Sequence, residues 1–151
     1  MNFHFAYGSN MSRAVMQRHA PGAEPIGVAA LPNYRFLITA QGHASVAPRR
    51  NAIVYGVLWR LTPRDRATLA VWEGIATGLY CTAILPVRQD GRRRLALVYV
   101  ARSREEGAPR AGYMDVVLAA ALEWQLPLPY IEELRGWSRR RPHKLRAFRW
   151  T

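Results

Sequence analysis

The chain has one cysteine, one lysine and no apolar run approaching the eighteen or so residues that a bilayer-spanning helix needs. Each shortage closes a class of protein. Cys81 has no second cysteine to pair with, so no disulfide framework holds the fold. It lies in a strand-like run over residues 80–87, where a buried, inert thiol is expected, and the scarcity of cysteine reads as a reducing, cytoplasmic setting. The missing apolar span and a start without a signal-peptide pattern lead to the expectation of a soluble, unexported chain with no membrane partner. His4, His19, His43 and His143 show no metal-ligand spacing, and no metal or cofactor is expected. Internal repeats and low-complexity tracts are also missing.

What remains is an ordinary globular composition. The chain has 151 residues, half of them apolar and 11% aromatic. That is enough to bury one sizeable core without staples. Its net charge is +12, and 21 of its 22 basic residues are arginine. From Arg135 onward seven basic residues meet no acid, which leaves +5 on the first 134 residues. The division expected is a domain over residues 1–136 and a basic tail over 137–151. Such a charge permits attraction to nucleic acid without requiring it.

Hydrophobic periodicity and turn chemistry predict the elements. Residues 2–7 alternate like a first strand and run into Gly8-Ser9-Asn10, a turn sequence. Ser12 is placed to cap a short helix that Pro21-Gly22 stops. Residues 26–31 and 34–39 flank Pro32-Asn33 and read as a hairpin. Residues 53–61 read as a central strand. Thr62-Pro63 with Asp65 is a helix start, and that helix is expected to end near Glu73-Gly74. Residues 80–89 and 92–100 form the clearest hairpin, joined by Asp90-Gly91. Met114, Val117, Leu118, Ala121 and Leu122 fall on one helical face. Pro129 opens a last helix, with Gly136 as its expected stop. Several strands joined mostly by hairpins, with helices between them, imply an α+β domain around a curled, mostly antiparallel sheet.

Two stretches carry chemistry. Gly8-Ser9-Asn10, between a strand and a helix start, can present backbone N–H groups to a carboxylate or an oxyanion. Glu73 is expected at a helix C-terminus, where the macrodipole disfavours negative charge, among apolar neighbours. An acid placed so has a raised pKa, which suits proton transfer. An exposed loop glutamate is the alternative. Ser9 has no evident His and Asp partners, so turn geometry explains it better than a nucleophile's role. Trp59 and Trp72 are expected in the core or in a pocket wall.

Taken together, Phe5-Ala6-Tyr7-Gly8-Ser9-Asn10-Met11 after a first strand and Glu73-Gly74 followed by Gly78-Leu79-Tyr80 entering another resemble the gamma-glutamylcyclotransferase family. Tyr113 opening a helix and Leu126-Pro127-Leu128-Pro129-Tyr130 beyond it resemble that family's C-terminal region. The resemblance covers roughly residues 3–134. It implies a small barrel-like α+β fold with helices packed around it, and an enzyme that releases 5-oxoproline from a small γ-glutamyl amide. It further implies Glu73 as the catalytic acid/base, with Tyr7, Gly8, Ser9, Asn10 and Tyr80 binding substrate and Tyr113 and Tyr130 as additional pocket residues. Family members often carry an acid three residues before the glutamate. This chain has Ala70 there, which puts hydrogen-bonded support for Glu73 in question.

The implied chemistry needs little apparatus. The α-amine of a γ-glutamyl amide is already tethered to the carbonyl it attacks, so no enzyme nucleophile, metal or cofactor is required. One carboxylate can take a proton from the α-ammonium and return one to the departing amine. Backbone donors can hold the oxyanion. Two other readings stay open: a pathway-specific cyclotransferase that removes a γ-glutamyl protecting group, and a non-catalytic module that binds nucleic acid through the arginine-rich tail. The leaving amine and the oligomeric state are not fixed by the sequence.

Overall fold

The computed structural model describes residues 2–75 and 78–141. Five strands close into a barrel in the order β1-β3-β2-β4-β5: β1 (Phe3–Ala6), β2 (Glu24–Ile38), β3 (Ala44–Arg60), β4 (Tyr80–Gln89) and β5 (Arg92–Ala101). All pairs are antiparallel except the closing one, where β1 meets β5 in parallel at His4 and Leu97. The expected small, curled, mostly antiparallel barrel with helices around it is therefore the fold observed. Phe5, Leu31, Val57, Leu58 and Val98 fill the core, each essentially inaccessible to solvent.

The hairpin expected around Pro32-Asn33 is not formed. Both of its arms belong to one long strand, β2, which pairs throughout with β3. Asn33 takes a left-handed φ of 64°, and the register jumps from Pro32 opposite Ile53 to Tyr34 opposite Pro48. The left-handed residue makes a bulge instead of a reversal, and the Asn33 side chain accepts a hydrogen bond from the Asn51 N–H at 3.1 Å. β3 accordingly starts well before residue 53. By contrast, Asp90-Gly91 turns β4 into β5 as expected, with φ of 52° and 75°, the signs a two-residue hairpin turn needs.

Four helices lie around the barrel: α1 (Arg13–His19), α2 (Pro63–Trp72), α3 (Tyr113–Glu123) and α4 (Leu128–Ser138). Ser12 and Thr62 cap the first two as expected, accepting from the N–H groups of Val15 and Asp65. α3 buries Met114, Val117, Ala120 and Ala121, whereas Leu122, expected on that face, points outward. α4 runs through Gly136 instead of stopping there. A helical glycine costs only about 1 kcal/mol, and the next turn offsets it. Trp137 packs edge-on against Phe36, the Arg140 guanidinium lies 3.9 Å over the Trp137 ring, and Arg140 and Arg35 both pair with Glu106. The basic tail expected over 137–151 lies largely outside the described residues, beginning at 142.

Cys81 is half-buried, not fully buried, with its thiol directed at the Val100 carbonyl across the β4–β5 pair.

Candidate active site

The site begins where β1 runs out. After Tyr7 the chain enters a single 3-10 turn, Ser9–Met11, closed by Met11 N–H to the Gly8 carbonyl at 3.1 Å and Ser12 N–H to the Ser9 carbonyl at 3.0 Å. Two residues of the α3 region hold this turn from outside the barrel. The Trp124 indole N–H donates to the Met11 carbonyl at 2.8 Å. The Tyr113 hydroxyl accepts from the Ala44 N–H at 3.2 Å and also hydrogen-bonds Ser9.

Gly8 sits inside this arrangement with a φ of −116°, so a left-handed backbone is not the reason for a glycine. Space is the reason. A Cβ on Gly8 would lie 2.7 Å from the Tyr113 hydroxyl oxygen and 3.2 Å from the Ala44 Cβ. The glycine lets the turn approach Tyr113 closely.

Glu73 arrives from the other side as the C-cap of α2, its N–H bonded to the Leu69 carbonyl at 2.8 Å. Its Oε1 accepts a hydrogen bond from the Asn10 side-chain amide at 2.9 Å, which joins the two sequence stretches in one site. Burial pushes the Glu73 carboxyl up from 4.5 to about 7, and the Asn10 hydrogen bond pulls it the other way. The support left in question by Ala70 is thus delivered by Asn10. The exposed loop glutamate weighed above is not what the chain forms.

Between the two stretches lies a cavity of about 320 Å³, the size of a small polar metabolite. Tyr7, Gly8, Ser9, Asn10, Glu73, Tyr80 and Tyr113 all line it. Tyr130 does not. It is buried beneath a second hollow, with its ring edge-on to Tyr55 at 5.3 Å, because α4 carries it against β3.

The phenols of the cavity are held neutral. Burial raises Tyr7, Tyr80 and Tyr113, and the Glu73 charge raises each further. Their hydroxyls serve the scaffold: Tyr7 donates to the Tyr99 carbonyl at 2.5 Å and Tyr80 to the Ala44 carbonyl at 2.6 Å. His4, in the cavity floor, is pushed down to about 4 by burial, and its Nδ1 lies 3.1 Å from the Leu97 carbonyl. His43 is lowered by burial and by the Arg110 charge. Glu73 is the carboxyl of this cavity, and burial brings its protonation change close to neutral pH. Among the described residues no cluster of three or more His, Cys, Asp or Glu side chains could hold a metal ion.

Sequence reasoning did not find His4, His43, Tyr99 or Leu79 as wall residues. Tyr99 and His4 are placed by β5 and β1 meeting in parallel, a closure that no local pattern encodes. Leu79 had a signal, an apolar residue stranded next to Gly78 just ahead of a strand. Trp72 is a wall residue, as one of its two expected places, and stacks on His19 at 3.8 Å; Trp59 is in the core.

A family model described as the AIG2-like family matches residues 53–134. The gamma-glutamylcyclotransferase of Homo sapiens is 27% identical over 144 residues, covering 88% of this chain and 77% of the human protein, and that of Mus musculus matches to the same extent. Among solved structures, a gamma-glutamyl cyclotransferase superposes with a TM-score of 0.84 at 25% identity, covering 94% of this chain and 89% of that one. YkqA from Bacillus subtilis superposes with a TM-score of 0.78 at 25% identity over 90% of this chain and 53% of its own.

Proposed function

The chain belongs to the AIG2-like family, and from that premise we propose that it is a γ-glutamyl cyclotransferase, converting a small γ-glutamyl amide into 5-oxoproline and a free amine. The observation that carries the residue assignment is the half-buried Glu73 carboxyl, raised to about 7 and hydrogen-bonded to Asn10 in the cavity wall.

In this reading the turn at Gly8–Asn10 and the wall formed by Tyr7, Tyr80 and Tyr113 receive the γ-glutamyl group and fold it so that its α-nitrogen faces its own γ-carbonyl. Tethering converts ring closure into a unimolecular step, which removes most of the entropic barrier. The α-ammonium has no lone pair, so Glu73 first takes one proton from it. Nitrogen then attacks the γ-carbon, the C–O π electrons move onto oxygen, and backbone N–H groups of the turn hold that oxyanion. When the intermediate collapses, the amide C–N bond breaks and a second proton leaves the ring nitrogen. The departing amine takes up both protons, and Glu73 relays at least one of them. A carboxyl with a pKa near 7 is matched to both directions of transfer.

The wall tyrosines contribute shape and polarity: the hydroxyl protons of Tyr7 and Tyr80 are directed at backbone carbonyls, and the Tyr113 hydroxyl accepts from the Ala44 N–H. Every residue given a role here precedes residue 137, so residues 1–136 are assigned the chemical step and the basic tail is not. The single cysteine supports a reducing, cytoplasmic setting for the enzyme. The test is an assay for 5-oxoproline with the full chain on a panel of γ-glutamyl amides. Release of 5-oxoproline together with the free amine supports the reading, and a folded chain that releases none from any of them contradicts it.

A further inference from the structure

The two ends of the cavity differ. Its inner part is the Tyr7–Asn10 turn with Glu73 and the tyrosines, and its mouth is formed by Trp72 and Leu79. These two flank Glu73 and the Gly74 turn in sequence, and both are large apolar side chains left about half exposed, 56% and 52%. Exposed apolar residues scattered singly need no explanation, but two that line one cavity beside its acid/base form a surface waiting to be covered. Trp72 is also fixed in place by its stacking on His19, so covering it costs little side-chain ordering.

The second observation is about charge. In a chain with 21 arginines, no arginine or lysine among the described residues lines this cavity. Described cations act on the wall from outside it: Arg66 on Tyr99, Arg110 on His43, with the Arg110 Nε bonded to the Gln41 carbonyl, and Arg18 on the His19 ring that stacks on Trp72. The histidines of the wall are both pushed toward the neutral form. A second carboxylate brought here would be desolvated beside Glu73 with no cation among the described lining residues to meet it.

We infer that the leaving group is an uncharged apolar or aromatic amine and not an amino acid, with Trp72 and Leu79 as the residues that select it. This inference rests on the γ-glutamyl cyclotransferase reading. With the γ-glutamyl group against the turn, the amide nitrogen must lie within reach of Glu73, and its substituent then runs out along Trp72 and Leu79. An apolar substituent buries against both, and each buried methylene adds favourable transfer from water. A carboxylate on the carbon next to that nitrogen would instead sit close to Glu73 and repel the ionised form that the first proton transfer requires.

A matched pair of substrates tests this with the full-length chain. γ-Glutamyl-phenethylamide and γ-glutamyl-phenylalanine differ only by the leaving-group carboxylate, and γ-glutamyl-methylamide lacks the apolar substituent. The expected kcat/KM, followed as 5-oxoproline release, is at least tenfold higher for the phenethylamide than for either of the others. Leu79→Arg, at an exposed position, supplies the missing cation and is expected to narrow the preference over γ-glutamyl-phenylalanine by at least threefold. Equal or faster turnover of γ-glutamyl-phenylalanine by the wild type would overturn the inference while leaving the cyclotransferase reading intact. No 5-oxoproline from any of the three, from a folded chain, would remove the reading itself and the inference with it.

Discussion

Two hollows of the described residues differ sharply in what walls them. One, of about 320 Å³, is walled by tyrosines, histidines and apolar residues around a single carboxylate. The other, of about 850 Å³, lies beside the β2–β3 bulge and α4 and is walled by Arg35, Arg49 and Arg50 with Tyr55, Tyr130 and Trp137. Net charge says nothing about which of them does chemistry. A guanidinium near Glu73 would hold its carboxyl low and leave a weak base. Keeping arginine out of the smaller cavity is what lets burial raise Glu73 to about 7. The larger hollow owes its shape to residues 49–52 facing the single bulged Asn33, and its arginines line solvent.

Removing the carboxylate breaks the contrast most sharply. Glu73→Gln keeps the size of the side chain but cannot accept a proton, so kcat is expected to fall by about a hundred- to ten-thousandfold, the usual range for a lost acid/base. The same substitution should stabilise the fold at high pH. Because the Glu73 pKa is raised on folding, the native state holds its proton to higher pH than the unfolded chain does. Stability is therefore lost as pH rises from about 4.5 through about 7 and stays reduced above that, by on the order of 3 kcal/mol for the shift given. Thermal melts at pH 8 should show the glutamine variant melting above wild type, with the difference gone at pH 4.

Gly8→Val comes next. Its new Cβ would press on the Tyr113 hydroxyl and on Ala44, so the turn must shift or Tyr113 must leave. Overpacking of this kind costs about 1–3 kcal/mol, and kcat/KM is expected to drop at least tenfold because the turn no longer presents its N–H groups correctly. Wild-type turnover by this variant would show that the turn does not bind substrate.

Asn10→Ala is a milder probe. It removes the hydrogen bond that favours ionised Glu73, so the Glu73 pKa rises further and activity at pH 7 is expected to fall about tenfold. Part of that loss should return at pH 9. A loss that is the same at both pH values would mean that Asn10 acts on the substrate and not through Glu73.

The smallest effect is expected in the other hollow. Arg49→Ala with Arg50→Ala removes two of its three arginines and should leave kcat/KM within about twofold, since neither residue reaches the tyrosine-walled cavity. A large loss would mean that long-range charge matters here, and it should then depend steeply on salt.

What the sequence disclosed and what it hid follow from the range of the interactions involved. The Thr62 and Ser12 caps, the Asp90-Gly91 turn and the strand leading to Tyr7 are set by neighbours within a few residues, and these features were readable. Glu73 was readable because an acid at a helix C-terminus in apolar company is anomalous on local grounds. The β2 bulge was misread because Pro32-Asn33 is equally good turn chemistry. Only the partner strand, which continues past it on both sides, decides in favour of extension. Gly136 was misread for a related reason, since the packing of Trp137 on Phe36 outweighs a local stop. Tyr130 followed its motif into the list of pocket residues, yet the tertiary path of α4 carries it to the other hollow. The hydrogen bond from Asn10 to Glu73 spans 63 positions, and no local pattern could have announced it.

The central claim is that Glu73, tuned by burial in a cavity whose described walls hold no arginine or lysine, is the group that moves protons. The pH dependence of kcat/KM for 5-oxoproline release, measured on the full chain from about pH 3 to pH 9, tests it most directly. The account predicts activity that rises with one ionisation centred near pH 7, and a Glu73→Gln variant whose residual rate lacks that ionisation. An ionisation centred near the ordinary carboxylate value of about 4.3, or a Glu73→Gln variant within threefold of wild type, would contradict it.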